Sequence, residues 1–121
     1  LTPSGDDFIA GMMIAFHGIG EIVKTELIWQ ATTAQAGIST NPISYAHLQS
    51  ASTGYGSAAL HNAIAMIVSG RTVEIQSAII RVAAIGHTSG WDALAGAVAA
   101  CRHRLSTLEK QVGLKPTICL S

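Results

Sequence analysis

The sequence predicts an all-α protein, about six helices packed in a compact array. Apolar residues recur at helical spacing along most of the chain. No stretch alternates polar and apolar residues for long enough to make a strand. A helix-start signature is also written twice, at Ser4-Gly5-Asp6-Asp7-Phe8-Ile9-Ala10-Gly11 and at Ser89-Gly90-Trp91-Asp92-Ala93-Leu94-Ala95-Gly96, with five identities in one ungapped register.

The elements follow in order. A first helix is expected over about 5–17, burying Phe8, Met12 and Phe16, with Gly18 and Gly20 ending it. A second is expected over about 21–35, with Ile22, Leu27 and Ile28 apolar and Lys24 and Glu26 exposed. Residues 37–42 carry turn chemistry, and Pro42 suits the start of the next helix. A short helix over 44–52 carries Tyr45 and Leu48 before Thr53-Gly54-Tyr55-Gly56 breaks it. Ser57 can cap a helix to about residue 69, striped by Leu60, Ile64, Ile67 and Val68 and closed by Gly70. Thr72 can cap the next, over 72–85, which sets Ile75, Ile79 and Val82 against Glu74, Ser77 and Arg81. Gly86 stops it, and the second copy of the signature opens a last long helix to about residue 108, followed by a tail.

Within the repeat, Ser4 and Ser89 read as N-caps whose side-chain oxygens accept from first-turn amides. Asp7 and Asp92 fall three residues later, where a carboxylate answers the cap and faces the positive helix end. Gly11 and Gly96 follow about two turns on, where a glycine costs about 1 kcal/mol relative to Ala. Close approach of another helix at Ala10-Gly11 and Ala95-Gly96 would offset that cost. Two equivalent helices are therefore expected, their amino ends near each other about a pseudo-twofold axis.

The 121 residues suffice for one domain. Apolar residues make up 49% and charged ones 12%, so much of the surface must be uncharged or covered by a partner. A formal net charge of zero argues against nucleic acid and anionic membrane. No apolar run is long enough to span a bilayer. Cys101 and Cys119 are too few for a disulfide scaffold, which leaves a reducing, cytoplasmic setting as the expectation. The chain opens without Met inside a motif, as expected of the carboxy-terminal part of a longer protein.

Paired helix amino ends make an anion site, because their amides point outward and their dipoles favour negative charge. Thr2, Ser4, Thr88 and Ser89 add hydroxyls, His87 adds a ring donor, and Gly5 and Gly90 leave backbone amides open to approach. The expected ligand is a phosphate or small carboxylate. The loop at Thr53-Gly54-Tyr55-Gly56 can line the same cleft. Asp6 is an acid that capping does not require, and Trp91 replaces it in the second copy. Two adjacent acids make a weak cation site, so neither metal nor cofactor is expected. His17, His47, His61 and His103 read as surface or satisfied polar residues inside helices, Arg71 and Arg81 as solvated helix ends, and Cys101 as a small core residue.

Both motif strings, together with the spaced Ser44, Leu48, Ala51 and Gly54, resemble a bacterial family of unknown-function domains that includes the oxamate carbamoyltransferase subunit AllH. The resemblance covers about 1–104 and corresponds to the carboxy-terminal half of such proteins. It implies a part in a multi-subunit enzyme of purine catabolism that converts oxalurate and phosphate to oxamate and carbamoyl phosphate. On that implication, Thr2, Ser4, Gly5, Thr88, Ser89 and Gly90 bind oxyanions, while Asp6, Asp7, His87 or Asp92 position or shuttle a proton. The expected partners are a small anionic substrate and other enzyme subunits, in an oligomer. The competing expectation is a helical assembly module whose capped helices dock a catalytic subunit and bind no small molecule.

Overall fold

The computed structural model describes residues 3–39, 42–85 and 89–113. Among them every regular element is helical: α1 (Pro3–Gly18), α2 (Ile22–Ser39), α3 (Pro42–Ser52), α4 (Ala58–Ser69), α5 (Thr72–Ala83) and α6 (Ser89–Gln111). None is long and apolar enough to cross a membrane.

The centre of the molecule is the pair α1 and α6. Residues Met13, Ile14, Ala15 and Phe16 are all buried, so α1 is covered on nearly every side, as befits a helix apolar all round. A Cβ on Gly11 would overlap the main-chain carbonyl of Ala93, and one on Gly96 would overlap that of Phe8. The repeat aligns Phe8 with Ala93 and Gly11 with Gly96, so this contact is reciprocal, as an approximate twofold requires. The close approach expected from the glycines is present at both.

The remaining helices close around this pair. Leu48 and Ala51 of α3, Leu60, Ala63 and Ile64 of α4, and Ala78 and Val82 of α5 complete one core with Leu94, Ala97 and Ala100. Thr25, almost fully buried on α2, donates its hydroxyl to the Met13 carbonyl of α1 at 3.3 Å. Arg104 of α6 donates to Glu21 at 2.6 Å, fastening the amino end of α2.

Several ends depart from the sequence expectation. Pro3 opens α1 and Ser89 opens α6, so Ser4 and Ser89 stand inside their helices and the cap positions fall on residues outside the described set. Proline suits a first helical position because its missing N–H is unpaired there anyway. Helix α2 runs through Gly37 to Ser39, since one interior glycine costs only about 1 kcal/mol. Arg71, without a side-chain cap bond, holds the position expected of Thr72, which is the first residue of α5. Ser57 caps α4 as expected, accepting from the Leu60 amide at 3.1 Å, and Gly70 closes that helix at φ +70°.

Candidate functional site

The packing of α6 onto α5 brings the second signature toward the first. Gly90 is pressed against the Val82 carbonyl, where a Cβ would overlap the oxygen, and its amide donates to the Ile85 carbonyl at 3.3 Å. That seats the amino end of α6 on the carboxy end of α5. On the other side, the loop before α4 is laid against α1: a Cβ on Gly56 would fall 2.6 Å from Ile14 Cδ1. Both helix beginnings are thereby directed at the same flank of α1.

Between them lies a hollow of about 100 Å³. Asp7 from the first signature, Ser89 and Gly90 from the second, Gly56 and Ser57 before α4, and His47 of α3 line one side of it, and the surface open to the hollow is almost wholly apolar. Ala10, Ile14, Leu60, Val82 and Ala93 supply its apolar floor. Two helix beginnings therefore border it, those of α4 and α6. The amides of Ala58 and Ala59, first in α4, have no intrahelical acceptor.

The electrostatics are mixed. Helix beginnings favour an anion, by about 0.3–1 kcal/mol each where exposed. Asp7 opposes one: two unit negative charges about 4 Å apart repel by about 4 kcal/mol at an effective dielectric of 20. Repulsion wins unless Asp7 is compensated. Its partner is His47, whose Nε2 lies 3.7 Å from Asp7 Oδ1; the two side chains are 52% and 19% exposed. That is an ion-pair distance, longer than a hydrogen bond.

The expected site residues divide accordingly. Asp7, Ser89 and Gly90 come together at the hollow. The Gly90 amide is committed to Ile85, so an open amide at this position is not what the fold provides; Gly90 contributes the bare Cα that lets α6 sit down on α5. Asp6 is 5% exposed and does not line the hollow, because successive helical residues diverge by about 100°. Asp92 also lies off the hollow, in the first turn of α6, and its Oδ2 is buried without a hydrogen-bond partner among the described residues. Gly5 is in the first turns of α1, half-buried. Thr2, His87 and Thr88, and the side chain of Ser4, lie outside what the structure describes.

His47, expected as a surface or satisfied polar residue, is half-exposed beside Asp7, and Ser57, expected as a cap, lines the hollow as well. Both reach the hollow through packing of α3 and α4 on α1, which no local pattern announces. Wider hollows lie elsewhere, and those lined by described residues carry no acid of either signature. One of about 380 Å³ is lined mainly by Met12, Phe16, Leu27 and Ile28, with Lys24 and His103 beside the Phe16 ring.

Comparison with known proteins identifies the family of the chain. The family model described as oxamate carbamoyltransferase subunit AllH matches residues 1–101, and the chain belongs to that family. No curated protein and no solved structure matches it.

Proposed function

We propose that this AllH-family chain is a subunit of a carbamoyltransferase that works with other subunits, and that the hollow beside Asp7 and Ser89 holds an oxyanion of the substrate. Family membership supports the first part, since the family is described by an oxamate carbamoyltransferase subunit. The observation carrying the second is the meeting of a signature acid, two helix beginnings and two serines around one small hollow.

Size favours a single small ion. One water occupies about 10–15 Å³ of such a cavity, and drug-sized ligands take about 300–1,000 Å³. A hollow of about 100 Å³ accepts a phosphate or a carboxylate, not two substrates together. The remainder of a site for oxalurate and phosphate would then come from other subunits or from chain beyond these helices. Ser57 and Ser89, which line the hollow, are the donors there, and Thr2, Ser4, Gly5, His87 and Thr88 are proposed as further oxyanion-binding residues on the repeat alone. Stabilising the oxyanion that develops when phosphate adds to a carbonyl is a large catalytic contribution, worth about 3–4 kcal/mol per well-placed donor. Asp7 is the acid placed to orient a neighbouring donor or accept an N–H. Asp6, which is buried, and Asp92, in the first turn of α6, lie off the hollow and are not assigned the proton step.

The test is turnover of the assembled enzyme. Ser89→Ala should raise the KM for phosphate several-fold, and Asp7→Asn should lower kcat by at least tenfold with assembly intact. Full activity in both variants would overturn the reading. A docking role can accompany this one, because Ile22, Val23 and Leu27 stand 58%, 73% and 59% exposed in the first two turns of α2. If assembly alone were the function, substitutions there would abolish complex formation while those at the hollow changed nothing.

A further inference from the structure

We propose that His47, held by Asp7, is the proton-carrying catalytic residue of this site. The inference rests on the carbamoyl-transfer reading and extends it to a residue outside both signatures. Three observations carry it. His47 lines the hollow with Asp7, Ser57 and Ser89. Its Nε2 is 3.7 Å from Asp7 Oδ1, an ion-pair distance that sets a carboxylate beside the ring. It is the one cation-forming side chain among the described residues that line this hollow, and an anion beside Asp7 requires one.

The chemistry asks for such a group. A phosphate oxygen adds to the ureido carbonyl carbon, forming the C–O bond. The tetrahedral adduct then collapses with cleavage of the C–N bond, and the electron pair stays on nitrogen. An amide nitrogen is a poor leaving group unless it is protonated as it departs. His47 gives its proton to that nitrogen and becomes neutral; being half-exposed, it regains a proton from solvent. In reverse, neutral His47 takes the proton from the attacking amide nitrogen of oxamate. Asp7 transfers no proton and acts as a positioning residue.

The experiment is His47→Ala in the assembled enzyme, with and without added imidazole, alongside equilibrium binding of inorganic phosphate to wild type. Loss of about 10²–10⁴-fold in kcat is expected, as for removal of a general acid. Free imidazole should restore part of it, because the half-exposed position leaves the vacated space open to solvent. Wild-type activity in the variant would overturn the proposal. So would loss without rescue, which would mark a structural role. Wild-type phosphate binding at the hollow alongside either result would leave the anion reading standing while this one fell. Absence of phosphate binding in wild type would remove both.

Discussion

Gly11 and Gly96 each abut a main-chain carbonyl of the opposite helix, so the smallest side chain there must push two backbones apart. Alanine would gain about 1 kcal/mol of helix propensity and lose more to overpacking, which costs about 1–3 kcal/mol even where side chains can give way. Because the neighbour is main chain and cannot give way, the upper end applies, and Gly11→Ala and Gly96→Ala should each destabilise the fold by about 2 kcal/mol in urea unfolding. Gly18→Ala is the control: nothing lies within reach of its Cβ, and the change should be neutral or stabilising by up to about 1 kcal/mol. Equal behaviour of the three would contradict the close contact. Cys101 supplies a second residue-scale expectation. Burial pushes its thiol above the ordinary cysteine range, so less thiolate forms at neutral pH. In a Cys119→Ser background, alkylation at pH 7 should be slower than for an exposed cysteine and should accelerate only as pH rises past the ordinary thiol range. Rapid labelling at neutral pH would contradict it.

The helices themselves were largely legible, because their signals are local. Ser57 and Gly70 bracket α4 with the residue types a cap and a left-handed stop require. Removing the first, in Ser57→Ala, should cost about 1 kcal/mol in thermal or denaturant unfolding. If Ser57 also binds phosphate, the same change should weaken that binding, which Thr25→Val should not. Thr25→Val breaks the bond from α2 to the Met13 carbonyl and should cost about 0.5–1.5 kcal/mol. The misplaced ends have a common cause: serine, threonine and glycine are each compatible with positions just inside a helix as well as outside it. Ser4 and Ser89 sit one or two residues past the cap position, and Gly37 is carried within α2. A residue type names a neighbourhood at a helix end, not one position.

At the scale of the whole molecule, the duplicated signature foretold the central packing of α1 on α6, because both sides of that contact are written in it. The hollow was legible only in part. Asp7 and Ser89 belong to the repeat, whereas His47 arrives through α3 packing on α1 some forty residues along the chain. A histidine on a short polar helix carries no sign of which carboxylate it will face. Asp6 drew notice as an acid not needed for capping, yet its neighbour Asp7 turns toward the hollow. The two helix beginnings that border the hollow are those of α4 and α6, with α1 contributing its flank and its acid. The most direct measurement is an amide-resolved NMR titration of the chain with inorganic phosphate. Saturable shifts at Ala58, Ala59 and Ser89, reduced in Ser89→Ala, are the predicted result. No saturable shift at those amides, or one confined to the distant groove at Phe16 and Leu27, would contradict the account.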